Sequence, residues 1–257
     1  MNTGAITGYF DVAQIVLYVF WIFFAGLIFY LRREDKRECY PLESDRSGGR
    51  IKVQGFPAIP APKTYLLRDG STVSLPRPET DTRPIAGRPN GPYPGAPLVP
   101  TGNPMVDAIG PASYALRSTH PDPAFDGLPL LVPLRSGSAA AFGIDEDDPD
   151  PRGMPVVGAD GATGGTVSDV WIDRAEPQIR YLELNTSGGR RLLPATFLKY
   201  DMRKGRVVVK SILGSQFANV PALSNPDQVS LREEDAIQAY YSSGHLYATA
   251  ARSEPFV

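Results

Sequence analysis

The chain has 257 residues, and its 26 Lys and Arg against 28 Asp and Glu leave a formal charge of -2, which excludes a basic nucleic-acid surface. Hydrophobic residues at 42% and charged residues at 21% are ordinary for a folded protein. The single cysteine, Cys39, excludes an internal disulfide and fits a reducing compartment; an unmodified thiol is the simpler reading, with palmitoylation the alternative.

Residues 12–31, VAQIVLYVFWIFFAGLIFYL, contain one strongly polar side chain, Gln14. At ~1.5 Å per residue these twenty residues reach about 30 Å, the depth of a bilayer's hydrocarbon core, so the stretch is predicted to span a membrane once. Asp11 is a candidate N-cap, and Tyr9, Phe10 and Tyr30 sit where aromatic rings favour the headgroup level. Trp21, Tyr30, Arg32 and Arg33 are the candidate lipid contacts, and Gly26 beside Ala25 is a place for another helix to approach closely. Residues 1–10 hold no Lys or Arg, whereas Arg32, Arg33, Lys36 and Arg37 follow the span. Cationic flanks stay in the cytoplasm, so the N-terminus is expected outside and the remainder inside. Without a positive leading region or a small-residue cleavage site, the segment reads as an anchor and not a signal peptide.

Residues 32–133 are expected to form an extended Pro-rich segment. Eighteen of the 26 prolines lie between Tyr40 and Pro133, and proline fixes φ and removes a donor, which blocks long helices and central strands. The same stretch carries Phe56, Ile59, Tyr65, Leu66, Leu67, Ile85, Tyr93, Met105, Ile109, Tyr114 and Leu116, more apolar surface than a flexible linker holds, so it is expected to lie ordered against something. Tyr65-Leu66-Leu67, Arg68-Asp69-Gly70-Ser71 and Thr72-Val73-Ser74-Leu75 read as strand, turn and strand.

Residues 134–153 read as an acidic connecting loop around Asp145-Glu146-Asp147-Asp148-Pro149-Asp150; the glycine and final glutamate of a calcium loop are missing, which favours a solvated surface. From residue 154 to 250 the periodicity becomes that of strands, at Pro155-Val156-Val157, residues 165–172, 180–184, 191–194 and 206–210, with turns at Ser187-Gly188-Gly189 and Lys204-Gly205. Five or so short strands suggest a small barrel or sandwich. A short amphipathic helix is predicted from Leu231, ending at Gly244, with residues 251–257 as a tail.

Catalytic signatures are absent: there is no Walker motif, dinucleotide glycine pattern, HExxH or CxxC. His120 and His245 stand singly in polar loop contexts and form no metal cluster, and Gly161-Ala162-Thr163-Gly164-Gly165 leads into a strand, as a tight turn does. The chain does not read as an enzyme.

The ordered strings Phe20-Trp21-Ile22-Phe23, Ala25-Gly26-Leu27-Ile28, Tyr40-Pro41-Leu42-Glu43, Arg83-Pro84-Ile85-Ala86, Thr101-Gly102-Asn103-Pro104-Met105 and Gly110-Pro111-Ala112-Ser113 continue through Val170-Trp171-Ile172-Asp173, Arg180-Tyr181-Leu182-Glu183, Arg191-Leu192-Leu193-Pro194 and Glu233-Glu234-Asp235. In that order and spacing, along nearly the whole chain, they resemble the H subunit of the purple-bacterial photosynthetic reaction centre. The resemblance implies one transmembrane α-helix, an extended Pro-rich segment over residues 32–133 that lies on the partner subunits, and a mainly-β cytoplasmic domain, a PRC-type β-barrel. It places residues 1–11 in the periplasm and the barrel in the cytoplasm, on the inner photosynthetic membrane.

The resemblance further implies a non-catalytic subunit that caps the cytoplasmic side of the L and M subunits, near the secondary quinone. Bacteriochlorophyll, bacteriopheophytin, quinones, non-haem iron and carotenoid would be held on L and M, with a cytochrome subunit and light-harvesting antenna as further partners besides membrane lipids. By the family's pattern Asp173, Glu176 and Arg180 lie near the proton route, and neighbouring carboxylates beside a cation can be tuned to hold and release protons. The alternative is that these three make only turn contacts and a salt bridge. Where some members have an Asp-Gly pair followed by closely spaced histidines, a proton-entry and metal-binding patch, this chain has Asp126-Gly127-Leu128-Pro129-Leu130, which keeps the carboxylate and loses the imidazoles. Two other classes share parts of the pattern, a membrane-tethered barrel adaptor with a different partner and a single-pass enzyme; co-purifying bacteriochlorophyll and bacteriopheophytin would separate them.

Overall fold

The computed structural model describes residues 11–39, 55–68, 70–76, 83–93 and 95–253, with isolated positions 4, 6, 7, 42 and 81. Tyr9, Phe10, Tyr40, Pro41, Glu43 and Asp69, the Cys39 side chain and residues 254–257 lie outside the described residues. The chain divides into two units, residues 1–82 with 91–96, and residues 83–90 with 97–257.

In the first unit, helix α1 covers Val12–Cys39 and is long and apolar enough to cross a membrane. Asp11 Oδ1 accepts the Gln14 amide at 2.8 Å, which is the predicted cap, and the Gln14 side chain donates to Tyr18 Oη at 3.0 Å, so the one polar side chain of the span is satisfied within its own helix. The helix does not stop with the apolar run at Leu31. Six of residues 32–39 are Arg, Glu or Lys, good helix formers, and Glu34 and Arg37 pair at 2.8 Å across one turn.

This extension is also where the Pro-rich segment attaches. Lys36 is 1% exposed, and its ammonium donates to the carbonyls of Gly55, at 3.1 Å, and Pro57. Arg37 donates to the Ala61 carbonyl, Lys63 pairs with Glu34, and the Phe29 and Phe56 rings meet at 5.7 Å. Strands β1 (Lys63–Leu66) and β2 (Thr72–Leu75) form the expected antiparallel hairpin, with Gly70 at φ +82 in its turn. Phe56 and Leu66 remain 84% and 77% exposed, apolar surface that this unit does not cover.

The second unit opens with β3 (Gly87–Pro89) and β4 (Leu98–Pro100), an antiparallel pair. It continues with β5 (Leu131–Pro133), β6 (Pro155–Val157), β7 (Thr163–Asp173), β8 (Gln178–Thr186), β9 (Gly189–Pro194), β10 (Leu198–Asp201), β11 (Arg206–Val209) and helix α2 (Leu231–Tyr247). Seven strands make one sheet in the order β10-β11-β6-β7-β8-β9, with β5 paired to β7; β6 and β11 run parallel and the other pairs antiparallel. On one side of β7 lies β8, and on the other β6 takes its start and β5 its end. Two register shifts between β7 and β8 give extra twist, and the sheet curls round a core of Trp171, Leu182, Leu184, Leu193, Ile212, Phe217, Ile237 and Tyr241.

Several expectations are corrected here. The sheet begins at Leu131, not near residue 154, because β5 pairs with Asp173, Ile172 and Trp171. Met105 and Ile109, 4% and 7% exposed, are buried within this unit, and Met105 joins the core of the curled sheet, so that part of the Pro-rich stretch packs against its own chain. Helix α2 runs past Gly244 to Tyr247, which places His245 on a helix beside the Phe197 ring and not in a loop. Gly244 serves close packing: a Cβ there would stand 2.4 Å from the Ser211 carbonyl oxygen. The C-terminal tail is tied down at its start, since Arg252 donates to the Ser211 and Gly244 carbonyls at 2.6 Å each and to that of Lys210 at 3.0 Å. The start of α2 carries a capping box, in which Ser230 Oγ accepts the Glu233 amide at 3.3 Å and Glu233 Oε2 accepts the Ser230 amide at 2.8 Å.

Candidate functional site

Asp173 ends β7, and the turn that follows folds Glu176 and Arg180 back beside it. Asp173 is 4% exposed and fully engaged: Oδ1 accepts the amides of Ala175 and Glu176 at 2.9 and 3.1 Å, and Oδ2 accepts Arg180 Nη2 and Nε at 2.8 and 3.1 Å. Burial pushes its carboxyl up, but the Glu176 amide, the Arg180 guanidinium and the Ala175 amide together outweigh this and hold it below the ordinary carboxylate range. Arg180 Nη2 also reaches Glu176 Oε2 at 3.3 Å, and the Glu176 side chain is 72% exposed. One guanidinium therefore joins a buried carboxylate to one in water.

The depressed Asp173 fixes a sign. Its folded-state affinity for protons is below that of the unfolded chain, so it stabilises the fold above the unfolded value of ~3.9 and loses that contribution as pH falls through its folded value. Asp173→Asn is accordingly expected to lower stability at pH 7 and to flatten the acid limb of the stability curve; equal acid limbs in denaturant titrations of the two proteins would contradict this.

Asp126 lies at the tip of a small loop closed by Leu130 N to Asp122 O at 2.8 Å and Ala124 N to Leu128 O at 2.8 Å. It does not stand alone in water. Arg174 grips both its oxygens, Nη1 to Oδ1 at 3.2 Å and Nη2 to Oδ2, and the Leu128 amide donates to Oδ1 at 3.0 Å. The Arg174 guanidinium is the main cause of the lowered Asp126 carboxyl, with the Leu128 amide second. Since Arg174 follows Asp173, the structure gathers Asp126, Asp173, Glu176 and Arg180 at one end of β7, with Arg174 as a link that sequence reading did not single out. Among the described residues no three His, Cys, Asp or Glu side chains are grouped to hold a metal. On α1, Trp21, Tyr30, Arg32 and Arg33 are all exposed, and Lys63 Nζ lies 5.8 Å from the Tyr30 ring centre.

Two further ionisable clusters escaped the sequence. Arg135 Nη1 binds Asp169 at 3.1 Å and Glu183 at 2.8 Å, while Nη2 binds Asp227 at 3.0 Å and the Pro226 carbonyl at 2.8 Å. Glu183 also accepts from Trp171 Nε1 at 3.2 Å and Ser168 Oγ at 3.1 Å, beside a cavity of about 430 Å³ lined by Arg135, Arg152, Asp169 and Arg190. The second cluster is on α2, where Glu234 Oε2 accepts a hydrogen bond from Tyr181 Oη at 3.0 Å. A signal was present for the first: Asp169 lies between Val167 and Val170-Trp171, and Glu183 between Leu182 and Leu184, apolar surroundings in which an unpaired charge is not tolerated.

Residues 4–136, more than half of the chain, match the family described as photosynthetic reaction centre, H-chain N-terminal region. The chain belongs to the reaction centre H-chain family. Residues 145–216 of this H chain match the PRC-barrel domain, which covers β6 through β11 of the curled sheet. Membership makes it a structural subunit that associates with the L and M subunits in a membrane complex whose cofactors sit on other subunits. It also accounts for α1, whose apolar side chains are mostly exposed among the described residues.

Proposed function

We propose that this H chain caps the cytoplasmic face of L and M, with its N-terminus in the periplasm, and assists proton delivery to the secondary quinone held by L. The quinone takes up electrons and protons, and this chain's part is to shield the site and conduct protons toward it. The carrying observation is the junction of exposed Glu176, Arg180 and buried Asp173. In this reading Glu176 is the group that meets water and exchanges protons. Asp173, held ionised, and Arg180 fix the local field and the turn geometry. Asp126 with Arg174 stands at the same end of β7 as a second contact with water, without an imidazole beside it. The sequence-based alternative, an adaptor for another partner, has no comparable support, since the match through residue 136 includes the Pro-rich segment.

The test is the rate of second-electron transfer to the secondary quinone in complexes carrying Glu176→Gln together with Asp173→Asn. Gln keeps the shape of Glu176 and removes its titratable group. The double variant is expected to slow this proton-coupled step several-fold across neutral to alkaline pH and to leave primary charge separation unchanged. Unaltered second-electron kinetics would reduce the cluster to a turn-stabilising salt bridge.

A further inference from the structure

Neither Asp173 nor Asp126 is suited to carry a proton near neutral pH, since each is stabilised as the anion by a guanidinium and by backbone amides. The chain places a different kind of carboxyl nearby. Tyr181 follows Arg180 on β8 and is 2% exposed, so its hydroxyl must find a partner inside the protein. It donates to Glu234 Oε2 at 3.0 Å, and the Gln238 side-chain amide, one turn further along α2, donates to the same hydroxyl at 3.4 Å. Glu234 is half-buried in the first turn of α2, beneath residues 117–120, whose carbonyls at Arg117, Ser118 and His120 accept from Arg232 and Leu231. The charged groups acting on it are Asp122 and Arg117 from that segment and Arg180 from β8; Arg117 is shared with Asp235 at 3.5 Å, and the His120 side chain is exposed.

We propose that Glu234 is a proton-holding group of this chain, that Tyr181 is the positioning residue that sets where it titrates, and that the pair supplies protons to the same uptake as the Asp173 cluster. The second part rests on the function proposed above. Burial is the main influence on Glu234 and pushes its carboxyl up, opposed by the Tyr181 hydroxyl, so the group sits nearer neutrality than the carboxylates gripped by arginine. The pair stays joined in both protonation states. A proton taken on Oε1 leaves Oε2 as a carbonyl that still accepts from Tyr181, so charge changes without rearrangement of α2. Asp122 and Arg117, of opposite sign, make the held charge sensitive to how the segment ahead of β5 lies over the helix.

The experiment is infrared titration of carboxyl C=O absorption in the intact complex, with the rate of second-electron transfer measured on the same samples. In Glu234→Gln one carboxyl band titrating above the ordinary glutamate range should vanish. Tyr181→Phe keeps the ring in place and removes the hydrogen bond to the anion, so it should move that band's midpoint up by about 0.5–1 pH unit. The double variant should match Glu234→Gln alone. If Glu234→Gln removes no such band, or Tyr181→Phe leaves the midpoint unmoved, the proton-holding pair is wrong. If both spectral changes appear while second-electron transfer is unaltered, the pair stands as a proton-holding site and its link to quinone protonation falls.

Discussion

Arg135→Met is expected to destabilise the barrel unit by about 3 kcal/mol, measured by denaturant unfolding of the purified chain in detergent. Removing one partner of a buried ion cluster costs ~3–5 kcal/mol because the remaining charges lose their compensation. Asp169 and Glu183, 5% and 3% exposed, would both lose the Arg135 guanidinium, and Glu183 would keep only the longer Arg190 contact at 3.8 Å. The lower end of the range applies because the Arg135 side chain is 33% exposed and water can enter the adjoining cavity. The loss has a second part, since Arg135 joins β7 and β8 to the loop at Pro226 and Asp227. Adding Asp169→Asn and Glu183→Gln to the methionine variant should recover part of the loss, as the glutamine oxygen can accept from Trp171 and Ser168 and the asparagine oxygen from the main-chain amides of residues 135 and 170. A loss below ~1 kcal/mol for the single variant would mean that solvent already screens the cluster.

Gly244→Ala should destabilise by about 2 kcal/mol, although helix propensity alone argues the reverse. Alanine inside a helix gains ~1 kcal/mol over glycine. Against that, the new Cβ would lie 2.4 Å from the Ser211 carbonyl oxygen and 2.6 Å from Ile212 Cγ2, and the first of these neighbours is backbone. Either α2 lifts from the strand-end segment or the segment shifts, and overpacking of this kind costs ~1–3 kcal/mol before any lost hydrogen bond is counted. Lifting would also strain the Arg252 bonds to the Ser211 and Gly244 carbonyls. Thermal unfolding that shows a rise in midpoint would mean the helix has slack there.

The same glycine shows where reading the sequence succeeds and where it fails. Composition and periodicity were enough for α1, the β1–β2 hairpin, most of the barrel strands and the start of α2, because each is set by local patterns of apolar side chains, caps and turns. Gly244 looked like a helix stop because a glycine after an amphipathic run usually is one; its role depends on Ser211, thirty-three residues away and invisible to any local rule. Strand β5 was missed for a related reason. Leu131, Val132 and Pro133 are too few to show a period, and their pairing to β7 is a long-range fact. Met105 and Ile109 read from sequence as cover for a partner because proline density signals an extended chain without saying which side of it is buried. At the site, Asp173, Glu176 and Arg180 were legible through the family resemblance, whereas Arg135, Arg174 and the Tyr181 contact with Glu234 depend on side chains from distant elements meeting in space.

The lysine clip at the end of α1 also determines a direction. A lone apolar helix in lipid is free to spin about its axis, yet Lys36 is held by the Gly55 and Pro57 carbonyls, which fixes the helix azimuth relative to the segment that carries them. Ten residues back, at about 100° per residue, Gly26 lies roughly 280° round the same axis, and nothing within 4 Å fills the space its missing side chain leaves. The smooth notch at Gly26 is thus keyed to the proline arm: a neighbouring helix that seats in the notch meets the arm at a set angle, and anything that pulls Lys36 from its two carbonyls unkeys both contacts together.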